Sequence, residues 1–119
     1  MSERIGFVGI GLMGHGMAKN LLAKGFALTL RVRRNRENLA DLFAAGAKEV
    51  KTNAQVAAAS DVVILCVTGA QDIEEVVAGA DGLLTQAREG MVIVDTATSE
   101  PSMTAKMRAL CATKGVQYV

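Results

Sequence analysis

Four kinds of material are scarce in this sequence, and each scarcity closes a route. Aromatic residues are limited to three Phe and one Tyr, namely Phe7, Phe26, Phe43 and Tyr118, too few to build stacking platforms for nucleobases. Net charge is nearly absent at +1, so no long-range field draws the chain to nucleic acid or to an anionic membrane. Cysteine is limited to Cys66 and Cys111. Neither sits in a C-x-x-C pair or a Cys/His cluster, so both are expected to be reduced thiols in or near the core, and no metal site is expected. Long apolar runs are lacking too: Val62 to Val67 is far too short to span a bilayer, and no secretory leader pattern opens the chain. A cytoplasmic protein without nucleic-acid or membrane partners is the resulting expectation.

What is present is ample for one globular domain. The 119 residues are 50% hydrophobic and 21% charged. A chain of this size buries roughly two-thirds of its unfolded surface, so it needs neither disulfides nor a structural metal.

Apolar runs of strand length alternate with segments of helical period. Strands are predicted at Arg4–Val8, Ala27–Val32, Lys48–Val50, Val62–Val67, Met91–Val94 and Val116–Val119. The unbroken apolar run Val62–Val67 reads as a central parallel strand covered on both faces. Between the strands, Met13, Met17 and Leu21 mark a helix that stops at Gly25, and Glu37–Ala45 marks one that stops at Gly46. Thr52 caps a short helix running through Ala59. Further helices are predicted over Asp72–Ala78 and from Pro101 to about Lys114, with Gly115 as its stop, and a helical or irregular stretch over Leu83–Arg88. Such alternation implies an α/β fold of Rossmann type: a doubly wound, mostly parallel sheet with helices on both faces, joined by right-handed crossovers. The chain ends within an apolar strand, so it is expected to be the amino-terminal part of a longer protein.

Gly9-Ile10-Gly11-Leu12-Met13-Gly14 matches G-x-G-x-x-G directly after a strand and at the opening of a helix, the context that makes the pattern a dinucleotide fingerprint. Gly9 permits the tight turn, Gly11 lets the backbone approach a pyrophosphate, and Gly14 lets the helix pack close to the strand. The N–H groups of that helix start, with its dipole, favour an anion. At the end of the second strand an NAD-selective domain usually carries Asp or Glu. Here Arg33 and Arg34 stand instead, with Arg31 and Arg36 nearby, and guanidinium groups clamp a 2′-phosphate well. NADP(H) is the expected cofactor, with NAD(H) as the alternative if the arginines form only a solvated basic loop. His15, in the first turn of the helix, either adds a hydrogen bond to the anion or is exposed and incidental. Met13 and Met17 read as packing residues.

The run from Gly6 to Leu21, with Met13, Gly14, Met17 and Asn20 beyond the generic fingerprint, resembles the amino-terminal signature of the β-hydroxyacid dehydrogenases, the 6-phosphogluconate dehydrogenase-like group that includes 3-hydroxyisobutyrate dehydrogenase and 2-hydroxy-3-oxopropionate (tartronate semialdehyde) reductase. Arg33-Arg34-Asn35 is similar to that family's strand-end motif, with Arg in the first place. Val67 and Thr68 fall in the loop that lies along the cofactor in relatives. Asp95-Thr96-Ala97-Thr98-Ser99-Glu100-Pro101 is similar to the family's Asp-x-Ser-Thr-x-x-Pro segment at the mouth of the active site. There Thr98 is expected on the nicotinamide side, and Ala97 replaces the usual Ser or Thr. The same segment also reads as a strand end and a capped helix start, with Ser99 or Thr98 as cap and Pro101 in the first turn.

The resemblance implies NADP(H)-dependent interconversion of a small 3-hydroxy acid and its 3-oxo acid or semialdehyde by a homo-oligomeric parent protein. It places the catalytic lysine beyond residue 119, in a helical second domain. No lysine here, Lys106 and Lys114 included, matches that motif, and the chain by itself is expected to bind cofactor weakly or not at all, if the second domain closes the cleft, and to be inactive. An imine reductase, or an NADP-binding interaction module without catalysis, would share this amino-terminal pattern.

Overall fold

The computed structural model describes residues 4–9, 12–31, 39–66, 70–96 and 101–119, with backbone only at 12–14, 70–72, 101 and 103. Its elements run β1 (Arg4–Val8), α1 (Leu12–Ala23), β2 (Ala27–Arg31), α2 (Ala40–Ala44), β3 (Lys48–Glu49), α3 (Asn53–Ala58), β4 (Val62–Leu65) and α4 (Ala70–Ala78). A 3-10 turn (Leu83–Thr85), β5 (Val92–Asp95), α5 (Pro101–Ala112) and β6 (Gln117–Tyr118) complete the order. The strands form one sheet in the order β3-β2-β1-β4-β5-β6, and every neighbouring pair is parallel. The doubly wound α/β expectation is met.

Alternation along the central strands builds two cores. Ile5 and Phe7 of β1, with Leu28 and Leu30 of β2, face Ala18 of α1 and Leu42 of α2. Val8 of β1, Val63 and Leu65 of β4 and Ile93 of β5 face α3, α4 and α5 through Val56, Ile73, Val76, Val77, Met107 and Cys111. Each fully buried aliphatic or aromatic side chain of this kind contributes about 1.5–3 kcal/mol, and the two cores hold one sheet between two helical layers. Both cysteines are free, Cys111 buried and Cys66 half-buried, as their isolation in the sequence implies. Among the described residues no helix is long and apolar enough to cross a membrane.

Local chemistry sets the boundaries. Thr52 accepts from the Gln55 backbone N–H at 3.1 Å, and the Gln55 side chain accepts from the Thr52 N–H at 3.1 Å, a reciprocal cap that starts α3. Four strands end differently from the sequence reading. β3 stops at Glu49, one residue short of the predicted end. The β4 ladder stops at Leu65, β5 is shifted one residue onward so that Asp95 pairs with Leu65, and β6 is only two residues long. Hydrophobicity marks which residues are buried, whereas the register of the neighbouring strand decides which are laddered. Val32 and residues 37 and 38, included in the predicted second strand and helix, lie outside the described residues.

Gly6, at the middle of β1, is required by a close approach. A Cβ there would lie 2.4 Å from the Ser60 Oγ and 2.5 Å from the Val56 Cγ1, and both of those residues are completely buried. The hydroxyl can rotate away, but the β-branched Val56 is held in its rotamer by α3.

The sheet's N-terminal edge is closed by charge. Asp61 accepts from the Arg4 backbone N–H at 2.9 Å and from the Arg4 and Arg88 guanidinium groups at 3.2 Å each, and Arg88 also donates to the Ser60 carbonyl at 2.6 Å. The Arg4 side chain and N–H hold the Asp61 carboxyl below its usual value of 3.8.

Two predictions follow from this packing and this charge cluster. Gly6→Ala should lower stability by about 1–3 kcal/mol through overpacking, whereas Gly16→Ala, where a Cβ meets nothing within 4 Å, should raise it by about 0.5–1 kcal/mol. Urea midpoints at constant m-value measure both, and a neutral Gly6→Ala would remove the close-approach explanation. Because the folded pKa of Asp61 is depressed, its contribution is present above about pH 4 and lost as pH falls through the folded value. Asp61→Asn should therefore be less stable than the parent chain at neutral pH and converge with it in acid; parallel stability curves would disprove the assignment.

Candidate functional site

In a parallel sheet every strand ends at the same edge, and in this order the connections leave β1 and β4 toward opposite sides. The crevice between their C-terminal ends is the topological switch point at which open α/β sheets take their ligands. β1 runs out at Val8, whose carbonyl accepts from the Cys66 N–H at 2.9 Å, and Gly9 donates its N–H to the Arg31 carbonyl at 3.0 Å. The ends of β1, β2 and β4 are thereby tied together around the start of the turn. Gly9 takes φ 75°, left-handed backbone that a side chain disfavours; the first glycine of the fingerprint is needed for its conformation.

α1 opens at Leu12 directly behind this turn. Its first four N–H groups have no intrahelical partner, and its first turn carries no acidic residue, so nothing of its own neutralises the positive end of the helix dipole. Backbone donors at a helix start with no acidic residue in its own first turn suit a phosphate or pyrophosphate.

Of the residues marked in the sequence, Gly9 is described in full and Leu12, Met13 and Gly14 as helical backbone at the start of α1. Ile10, Gly11, Arg33, Arg34, Val67, Thr68 and Thr98 lie outside the described residues, as do Ala97 and Ser99. Their described neighbours share one edge: Arg31 ends β2, Cys66 follows β4 and Thr96 follows β5.

Three contacts at this edge were not legible in the sequence. His15 is not left in solvent: its side chain is 28% exposed, and its Nε2 bonds the Asp41 Oδ1 at 2.9 Å. α1 and α2 cover the same sheet face, which brings their first turns together, and the His15 bond holds the Asp41 carboxyl below the usual range. Thr96 donates both its N–H, at 3.1 Å, and its hydroxyl, at 2.5 Å, to the Leu65 carbonyl. The buried Tyr118 donates its hydroxyl to the Asp95 Oδ2 at 2.5 Å. Burial, followed by the Asp95 carboxylate, pushes the Tyr118 hydroxyl well above its ordinary value, so it remains a donor at any physiological pH. Burial likewise pushes the Cys66 thiol up and the Cys111 thiol to about 11, which keeps both as inert thiols rather than nucleophilic thiolates. These pairs join residues far apart in the chain, so no local pattern announces them.

A groove of about 340 Å³ between α4 and α5, lined by Glu74, Glu75, Ala78, Gly79, Lys106 and Leu110, contains none of the marked residues. The Lys106–Glu74 ion pair at 2.5 Å spans it.

Comparison with known proteins agrees with this geometry. Residues 4–119 match the family described as the NAD binding domain of 6-phosphogluconate dehydrogenase. The chain is 40% identical over 121 residues to 2-(hydroxymethyl)glutarate dehydrogenase of Eubacterium barkeri, covering 99% of this chain and 39% of that protein. It is 32% identical over 111 residues to mitochondrial 3-hydroxyisobutyrate dehydrogenase of Mus musculus, covering 87% of this chain and 30% of that protein. A solved structure described as Psf3 in complex with NADP+ and 2-OPP is 29% identical, with a TM-score of 0.84 over 96% of this chain and 40% of that one. The chain thus spans two-fifths or less of the length of these relatives. With its fingerprint turn at the switch point of an all-parallel sheet, the chain belongs to the family of the NAD-binding domain of 6-phosphogluconate dehydrogenase and is similar to the hydroxyacid dehydrogenases within it.

Proposed function

We propose that this chain is the NADP(H)-binding part of an oxidoreductase that interconverts a small 3-hydroxy acid and its 3-oxo acid or semialdehyde. The observation that carries the reading is the Gly9 turn at φ 75° leading into a helix with no acid in its first turn, at the crevice between β1 and β4. In this reading the backbone from Gly9 to Gly14 holds the pyrophosphate, and Ile10, Gly11, Leu12 and Met13 contribute N–H groups. Arg33 and Arg34, two and three residues after the end of β2, take the 2′-phosphate, for which a carboxylate would be repulsive. Val67 and Thr68 flank the dinucleotide, and Thr98 lies on its nicotinamide side. The bound cofactor supplies or accepts the hydride, and these residues orient it.

The substrate class is supported by two relatives. The compounds in the names of the Eubacterium barkeri and Mus musculus enzymes share a hydroxyl on the carbon β to a carboxylate. Proton transfer to or from that oxygen requires a group within hydrogen-bond reach. This reading assigns it to a lysine in a second domain beyond residue 119, because no lysine of this chain has the corresponding sequence context.

Titration of the purified chain with NADPH and NADH, followed by cofactor fluorescence and by NMR to detect weak binding, tests the proposal. NADPH should bind more tightly. Arg33→Asp and Arg34→Ala should each remove about 1.5–3 kcal/mol of NADPH binding, the range for a hydrogen bond to a charged group, and leave NADH binding unchanged or improved. Equal or tighter binding of NADH by the parent chain would refute the NADP(H) assignment.

A further inference from the structure

The wing of the sheet beyond β2 is closed by two of its shortest elements. β3 has two residues, both exposed, and pairs with β2. α2 has five residues, far short of the roughly 12–15 at which a helix holds by itself in water, and its entry residue Leu39 supplies no side-chain cap. α2 is therefore held by docking. Leu39 and Leu42 are buried in the core that Ala18 of α1 shares. Nearer to solvent, one side-chain hydrogen bond joins the two helices among the described residues: His15 Nε2 to Asp41 Oδ1 at 2.9 Å, with the side chains 28% and 44% exposed. The charges around this pair are few. Lys19, one turn along α1, adds attraction to Asp41, and Asp41 is the sole ionisable residue of α2. β1 and β2 present Ile5, Phe7, Leu28 and Leu30 to this side, and Arg31 belongs to the opposite face by alternation. β4 presents Ile64 and Cys66, and burial keeps the Cys66 thiol protonated. Lys48 and Glu49 of β3 stand at the sheet edge.

We propose that His15 and Asp41 form a pH-sensitive latch that docks α2, and β3 after it, onto α1. Imidazole is the side chain whose charge changes between about pH 5 and 8. While the ring is protonated and the carboxyl ionised, the contact is an ion pair and a hydrogen bond together. As the ring gives up its proton, the contact falls to a hydrogen bond from a neutral donor, and a five-residue helix with no cap of its own opens more often. On the acid side the folded value of Asp41 is depressed, chiefly by the His15 bond. Its contribution is therefore present above the ordinary value of 3.8 and is lost as pH falls through the folded one. Docking is tightest between these two limits. Opening of this kind is local: β1, β4 and β5 are held by pairing and by a core on the other face, so the wing loosens without unfolding the sheet. Neither partner of the latch depends on the cofactor reading above.

Native-state hydrogen exchange of the purified chain by NMR, each rate normalised to the intrinsic rate at the same pH, tests the latch. The amides of Phe43, Ala45 and Ala47, bonded to the Leu39, Asp41 and Leu42 carbonyls, report on α2; those of Cys66 and Val92, bonded to the Val8 and Asp61 carbonyls, report on the central sheet. Between about pH 5 and pH 8, protection of the α2 amides should fall roughly 2- to 5-fold, the scale of an exposed ion pair, while the central amides stay constant. His15→Gln, which keeps a donor without a titration, and Asp41→Asn should each hold α2 protection at the lower level across that range, and the double variant should add no further loss. Both positions are partly exposed, and thermal unfolding establishes that folded variants are compared. α2 protection that does not change with pH in the parent chain, or that changes equally in His15→Gln, would overturn the proposal. Equal changes at α2 and in the central sheet would also overturn it, by assigning the effect to global stability.

Discussion

Parallel pairing on both sides of β1 is the constraint from which the rest of this structure follows. A strand with a parallel neighbour can be reached only through a crossover, so a helix follows each of β1 to β5, and all six strands finish at one edge. Because the chain builds outward from β1 through β2 and β3, and then crosses back to continue through β4, β5 and β6, the two halves part between β1 and β4. β1 therefore serves both cores and the site. Ile5 and Phe7 pack toward α1 and α2, Val8 packs toward α4 and α5, Gly6 leaves room for α3, and Gly9 turns the chain at the end of the strand ahead of α1.

The two edges of the sheet are finished with different chemistry. At the N-terminal edge, Asp61 gathers Arg4 and Arg88 into a cluster whose members are roughly half exposed, an arrangement that ties strands and loop together at modest strength. At the C-terminal edge, two carboxylates have side-chain partners of their own. Asp41 is engaged by His15 and Asp95 by Tyr118, so neither is a free anion beside a helix start suited to phosphate. That arrangement leaves the dipole of α1 as the fixed field a pyrophosphate would meet.

The architecture was legible because its signals are local. Apolar strand-length runs, a Thr52 cap and stop glycines gave the elements in order, and the alternation of strand with helix gave the parallel sheet. The Gly9 turn was legible for the same reason, since its motif is contiguous. The ends of β3, β4, β5 and β6 were not, because ladder register depends on a neighbouring strand: Asp95 pairs with Leu65, thirty residues away in the chain. His15 illustrates the limit most sharply. Beside a glycine fingerprint it reads as an anion contact or a bystander, and only the side-by-side packing of α1 and α2 supplies Asp41 as its partner. Thr96 and Tyr118 escaped notice because a threonine at a strand end and a tyrosine near an apolar terminus each have ordinary local explanations.

The physical basis of recognition also explains why cofactor class is easier to read than cofactor choice or substrate. Pyrophosphate is bound by backbone N–H groups, so the demand on sequence is for glycine where the backbone must bend or approach, and that demand is inseparable from the fold. The 2′-position is read by side chains, a demand on the chemistry of one or two residues that the backbone path does not impose. Discrimination there depends on a charged group meeting its partner or being left with the wrong one, a difference large enough for two residues to decide. Substrate choice stands one step further from the scaffold. It requires groups around the reacting carbon, and this chain, spanning 39% of the Eubacterium barkeri relative, carries the part of the pattern that orients a cofactor. Fold, cofactor class, cofactor preference and substrate thus form a descending order of dependence on the sheet, and the same order governs how directly each can be argued from these 119 residues.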